Sequence, residues 1–274
     1  MKIACQEGLA PGKTFAERLE NLARYGFDGV ELNGGALLER AGIEERKAAL
    51  KDSPVKASSI CGGITPHFIS TDREKRRQSV ESAKKMLDAA AELGAVGPIG
   101  VPIFRGEGNM PDLSPFMTRQ QLRDGMMVEV LREVAEYAKS VGVVFLLEPL
   151  NRYEAEALNQ IGQAAEIIKA IPGAHAAGGG GGIMVMADFF HMDIEESDAP
   201  AAIEKVGGLI GHVHLADNQR KEPGSGDLDF VRNFRALKKI GYTGYMAFEC
   251  GLTGPAEEAL PRSVRFLREC LAQV

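Results

Sequence analysis

No stretch of the 274-residue chain approaches the run of about 18 apolar residues that a membrane-spanning helix needs. The N-terminal MKIACQEGLAPGKT carries a lysine but no apolar core, which argues against a secretory leader. Basic charge is not in excess. The net charge is −6, and lysine and arginine are scattered. The densest group, Arg73–Arg77 (REKRR), reads as the first turn of a solvated helix, so neither nucleic acid nor an anionic membrane is expected as a partner. The four cysteines (Cys5, Cys61, Cys250 and Cys270) form no CxxC pair. Three fall in or just after predicted strands, as small buried residues of a reducing, cytoplasmic compartment would. A dinucleotide or phosphate fingerprint is also missing. Cys5–Gly12 (CQEGLAPG) is not GxGxxG, and the tract Gly178–Gly182 is followed by no GK[ST]. That tract reads as a flexible lead-in to the strand after it.

What the chain does have is alternation. Short apolar segments at Lys2–Cys5, Gly29–Leu32, Val55–Ile60, Val96–Ile103, Val144–Leu147, Ile183–Ala187, Leu209–Leu215 and Tyr245–Phe248 read as strands. Amphipathic stretches follow each of them. They are Thr14–Tyr25, Leu37–Leu50, Arg73–Leu93, Gln121–Val141, Asn159–Ile171, Ile194–Val206, Phe230–Ile240 and Ala256–Ala272. Pro98 and Pro102 weaken the fourth strand. A spacing of about 30 residues per βα unit over a chain of this length predicts a single-domain (β/α)8 TIM barrel spanning residues 1–274, in preference to an open doubly wound sheet. The Gly/Pro-rich stretch Gly106–Phe116 reads as a long loop and a candidate lid.

In such a barrel the chemistry sits where the strands end. The fifth strand runs VFLLEP, so Glu148 stands at its mouth and Pro149 ends it. The sixth, IMVMAD, ends in Asp188. The seventh, LIGHVHLAD, places His212 and His214 on one face by its period of two. The eighth, YMAFEC, ends in Glu249. Three carboxylates on one rim would repel unless a divalent cation joined them. An oxygen-rich set with one imidazole suits Mn2+, Mg2+ or Co2+ better than Zn2+. Singly, each residue is ordinary: a strand-end aspartate caps a helix, and an inward histidine is a satisfied core group. The conjunction of four points to a metal site.

Strands five and eight stand roughly 135° apart around a ring of eight. Glu148 and Glu249 therefore reach a central substrate from different sides, as inversion of a C–H stereocentre requires: one carboxylate removes the proton and the other returns it on the far side. The metal would polarise the adjacent carbonyl and stabilise the enediolate. Glu154, His191 and Arg220 lie in the loops beyond these strands and are candidates to bind substrate hydroxyls.

The segments LLEPLNRYE, MADFFHMDIEESD, GHVHLADNQRKEPGSGD and the FE of YMAFE together resemble the sugar isomerase/epimerase family with xylose isomerase-like barrels. The resemblance is closest to ketose 3-epimerases of the D-tagatose/D-psicose type and to hydroxypyruvate isomerase, and clearest over Val144–Glu249. It implies that Glu148, Asp188, His214 and Glu249 bind the metal, usually Mn2+. It implies further that Glu148 and Glu249 are the acid/base pair, and that Glu154, His191 and Arg220 hold substrate oxygens. It also implies a homodimer or homotetramer. Cys61 and His67, after strand three, fall where such enzymes contact the substrate. The function expected is therefore metal-dependent inversion of C3 of a free ketose. The alternatives are an aldose–ketose or hydroxypyruvate-type isomerisation, or dehydration of a keto-polyol. A multi-metal phosphodiesterase barrel would need more than the five histidines present, and a sugar-binding barrel without catalysis would need no metal.

Overall fold

Eight parallel strands make one sheet in the computed structural model, which describes residues 1–105, 110–175 and 181–274. They are β1 (Lys2–Gln6), β2 (Gly29–Asn33), β3 (Lys56–Cys61), β4 (Ile99–Gly100), β5 (Phe145–Leu147), β6 (Ile183–Asp188), β7 (Ile210–Leu215) and β8 (Tyr245–Phe248). Their order, β3-β2-β1-β8-β7-β6-β5-β4, leaves β3 and β4 to meet. They do so through single contacts, Ile60 N–H to the Gly97 carbonyl at 3.1 Å and Val96 N–H to that of Ser58 at 2.9 Å. The result is a nearly closed (β/α)8 barrel, as expected from the alternation. β4 is only two residues long rather than the eight expected. Pro98 and Pro102 flank it and cannot donate to a ladder.

Nine α-helices surround the sheet among the described residues: α1 (Phe15–Tyr25), α2 (Arg40–Lys51), α3 (Arg73–Leu93), α4 (Arg119–Val141), α5 (Ile161–Ala170), α6 (Phe189–Glu195), α7 (Ala199–Val206), α8 (Phe230–Lys239) and α9 (Ala256–Leu271). None is long and apolar enough to cross a membrane. α4 starts two residues before the expected boundary because Thr118 and Gln121 form a reciprocal capping box. α2 starts later than expected, since Gly34–Leu37 takes a 3-10 turn first. The single helix expected over Ile194–Val206 is two. Glu196 is extended, Asp198 caps α7 through the Ala201 amide, and Pro200 sits in its first turn. The first of the two, α6, starts directly on Asp188 and carries His191. Asn159 does not cap α5; Gln160 does, and the Asn159 amide instead ties the Leu150 and Ala155 carbonyls.

The core fills the space inside and around the sheet with branched and aromatic side chains such as Ile3, Leu32, Ile60, Phe145, Val185 and Phe248, all without solvent exposure. Gly178–Gly180 lie outside the described residues, as do Gly106–Asn109 of the loop expected to form a lid. The rest of the glycine tract is packed. A Cβ on Gly182 would lie 1.9 Å from the Ala135 carbonyl oxygen of α4, and one on Gly181 would lie 2.2 Å from the His175 Cα. These two glycines allow backbone to touch backbone where the chain enters β6.

Candidate metal centre and active site

Glu148 follows β5 immediately, its amide bonded to the Gly100 carbonyl of β4 at 3.1 Å. Asp188 is the last residue of β6 and pairs in register with His214 of β7. Glu249 follows β8, and its amide reaches the Leu215 carbonyl of β7 at 3.3 Å. Strand order thus seats Asp188 and His214 between the two glutamates. One ligand atom from each of the four lies within 4.8 Å of all the others.

His214 Nδ1 lies 2.8 Å from Glu249 Oε2, 3.6 Å from Asp188 Oδ2 and 3.9 Å from Glu148 Oε1. Two of these buried atoms, His214 Nδ1 and Glu148 Oε1, make no aligned hydrogen bond. Stranding buried polar atoms is costly, and a divalent cation at their meeting point would offset that cost. Three carboxylates and one imidazole are a donor set that a hard to borderline divalent ion accepts. Asp188 does two jobs. Its Oδ1 caps α6 through the Phe190 and His191 amides at 2.8 and 3.3 Å, which leaves Oδ2 facing the cluster.

The remaining predicted residues converge on the same point. Arg220 donates to Asp188 Oδ2 at 2.6 Å and to Glu249 Oε2, and its guanidinium lies over the Phe190 ring. Its backbone is left-handed, with φ 55°, which is uncommon for a side chain of this size. The Asp217 carbonyl accepts its amide and the Gly251 amide binds its carbonyl, which hold that turn. His191 is buried, with Nε2 3.7 Å from Glu148 Oε1 and 3.8 Å from Asp188 Oδ2. Asn151 Nδ2 donates to His191 Nδ1 at 2.8 Å and to Glu154 Oε1 at 3.1 Å, while its Oδ1 accepts from the Tyr153 amide. The amide orientation is therefore fixed, and neutral His191 carries its proton on Nε2, toward the cluster. Glu148, His191, Arg220 and Glu249 open onto a cavity of about 350 Å³, which Glu154, Cys61 and His67 also line.

Electrostatics separates the two glutamates. Burial pushes the Glu148 carboxyl up, and Glu249 and Asp188 push it further, well above the usual carboxylate range. Glu249 is also desolvated, but the charges of His214 and Arg220 outweigh burial and hold it below that range. Asp188 follows the same pattern: burial opposes, yet Arg220 and His191 keep it well below. For His214, burial favours the neutral form but Glu31 and Glu249 carry the imidazole well above its ordinary value.

Glu31, in β2, has no place in the expected site. It is 1 % exposed and takes hydrogen bonds from His214, His212, Ser59 and Gln6. Gln6 Nε2 also donates to Glu249 Oε1 at 3.1 Å. A carboxylate inside the apolar strand GVELN was the available signal, since a buried charge demands partners. Asn151 was also unforeseen; it reads in sequence as a loop residue.

A family model described as "Xylose isomerase-like TIM barrel" matches residues 19–270. The chain belongs to that family. The relatives it resembles are named as epimerases, a kind of isomerase, which agrees with the enzyme class expected. One is 3-dehydro-D-guloside 4-epimerase of Escherichia coli K12, 34 % identical over 98 % of this chain and 100 % of that protein. Another is D-psicose 3-epimerase of Enterocloster bolteae, 27 % identical over 86 % of this chain and 76 % of its own length. Among solved structures, 3-keto-D-glucoside 4-epimerase from E. coli, in its apo form, superposes with a TM-score of 0.85 at 31 % identity, covering 98 % of this chain and all of that one.

Proposed function

We propose that this protein is a metal-dependent sugar epimerase that inverts C3 of a free ketose by proton transfer between Glu148 and Glu249 through an enediolate. The observation that carries this reading is the pair of glutamates from β5 and β8, set on either side of Asp188 and His214 and driven apart in acidity. One carboxylate can remove a proton and the other return it from the far side. Glu249 removes the proton beside the carbonyl. Glu148 returns one on the opposite face; in the reverse direction the two exchange roles. A divalent cation bound by Glu148, Asp188, His214 and Glu249, with Mn2+ expected first and Mg2+ or Co2+ as replacements, supplies polarisation of the carbonyl and charge to balance the enediolate. His191 presents an N–H, and Arg220 its guanidinium, to substrate oxygens; Glu154 accepts from a hydroxyl. The protein acts as a homodimer or homotetramer.

A second reading keeps every residue in place and moves the reaction to C4 of a 3-keto sugar. The full-length match to the E. coli 4-epimerase favours it. Both substrates present the same α-hydroxyketone, so the site chemistry does not change. Incubating the Mn2+ form in D2O with D-fructose, D-tagatose and a 3-keto glycoside separates the two: deuterium at C3 of a ketose supports the first reading, and deuterium at C4 of the 3-keto sugar the second. Turnover with deuterium at C1 would overturn both and indicate aldose–ketose isomerisation.

A further inference from the structure

Beneath the four converging side chains lies a second polar layer centred on the buried Glu31. Its Oε1 accepts from Gln6 Nε2 and from His214 Nε2, each at 3.0 Å. Its Oε2 lies 2.6 Å from Ser59 Oγ, 3.1 Å from His212 Nε2 and 2.9 Å from His214 Nε2. An ionised carboxylate only accepts, so each imidazole nitrogen that faces it must carry a hydrogen. For His214 this puts a hydrogen on Nε2 and leaves Nδ1 as the atom that can serve a cation. That is the atom directed at Asp188, Glu249 and Glu148. Glu31 thus does for this ring what Asn151 does for His191. Its second tie, through Gln6 to Glu249 Oε1, reaches the neighbouring carboxylate as well.

We propose that Glu31 is a positioning residue that sets the metal affinity of the site. It holds the His214 ring with Nε2–H toward itself and Nδ1 toward the cluster, while Gln6 ties the same carboxylate to Glu249. This rests on the metal-site reading given above. A carboxylate behind a metal-bound histidine fixes ring and tautomer, and its loss typically costs 10–100-fold in metal affinity. Glu31 does not line the cavity around Glu148, His191 and Arg220 but a second one that shares Cys61 with it, so its effect on the cluster passes through His214 and Gln6.

The test is a titration of the full-length protein with Mn2+ alone, reading free Mn2+ by electron paramagnetic resonance, for wild type, Glu31→Gln, Glu31→Asp and Asp188→Asn. Melting of each metal-free protein is followed in parallel. The expected result is one strong site in wild type, its loss in Asp188→Asn, a 10–100-fold weaker site in Glu31→Gln and an intermediate one in Glu31→Asp. Wild-type affinity in a folded Glu31→Gln, with Asp188→Asn defective, overturns the positioning role and leaves the metal site standing. Equal binding by wild type and Asp188→Asn, or none by either, overturns both. A purely structural Glu31 would lower the melting temperature without changing the dissociation constant. If Glu31→Gln does not fold, Glu31→Asp decides: weaker Mn2+ binding by the folded variant is expected, and wild-type affinity overturns the proposal.

Discussion

Replacing Glu148 by glutamine should make the metal-free protein more stable and the site useless. Glu148 Oε1 is buried, without a hydrogen-bond partner, and shares its surroundings with Glu249 and Asp188. Desolvating such a group costs about 1–3 kcal/mol, more when it ionises, and the amide keeps the shape but cannot ionise, so it escapes what burial and the charge of Glu249 add against the carboxyl. Unfolding entropy near the transition is about 2.1 cal/mol/K per residue, or about 0.6 kcal/mol/K for 274 residues. The metal-free variant should therefore melt about 2–5 °C above metal-free wild type. The metal response has the opposite sign. Free Mn2+ at about 100 times its dissociation constant adds about 2.7 kcal/mol, which is about 5 °C on the same scale. If the amide weakens binding about 100-fold at fixed Mn2+, the added stability falls to about 0.4 kcal/mol and the shift to about 1 °C. Scanning calorimetry of both proteins, each with EDTA and with Mn2+, reads all four values. A metal-free variant that melts several degrees below wild type would refute the claim that burying the Glu148 carboxyl opposes folding. A full Mn2+ shift in the variant would refute its role as a ligand.

Other consequences can be checked directly. Asn151→Ala should free His191 to adopt either tautomer and lower kcat/KM about 10–100-fold, with a loss of about 1–3 kcal/mol of stability from the partners it strands; an unchanged kcat/KM would remove Asn151 from the account. Arg46 and Glu7 form a buried ion pair, with Arg46 Nη2 2.7 Å from Glu7 Oε1. Arg46→Ala strands the Glu7 charge and should cost about 3–5 kcal/mol, whereas a Glu7→Leu/Arg46→Met double variant should lose less in the same denaturant titration. Burial pushes the Cys250 thiol up to about 12 and holds those of Cys5 and Cys61 well above the ordinary value. Since the thiolate is the reactive form and forms only as pH rises toward the pKa, native protein at pH 8 should resist iodoacetamide at these three positions. Rapid labelling of Cys250 there, read by peptide mass spectrometry, would contradict the burial argument.

The outer frame of the site was legible because strand ends announce themselves. Pro149 stops β5 one residue after Glu148, and the period-two pattern of β7 turns His212 and His214 inward together. The four ligand candidates needed only the barrel's strand order to become neighbours. What lay deeper was harder to see. Glu31 and Gln6 come from the first two strands, about 180 and 240 residues away from the groups they serve, and their partners exist only once the barrel has closed. Local signals were also missed where tertiary roles compete. Asp188 reads as either a helix cap or a ligand; its Oδ1 caps α6 and its Oδ2 faces the cluster. The break between α6 and α7 was written in Ser197-Asp198-Ala199-Pro200, a cap with a first-turn proline, but the apolar spacing on either side bridged it. β4 lost most of its expected length to two prolines, and the barrel seam lies there.

The central claim is that two carboxylates, one on each face, exchange the proton. Its most direct test follows the initial turnover of an accepted keto-sugar in D2O by Mn2+-loaded wild type, with NMR and mass spectrometry of both epimers. If Glu249 and Glu148 act on opposite faces, the product gains one deuterium at the inverted carbon from the first turnovers while the recovered substrate stays protiated. A product that keeps the substrate's own hydrogen would require a single group to serve both faces and would contradict the account.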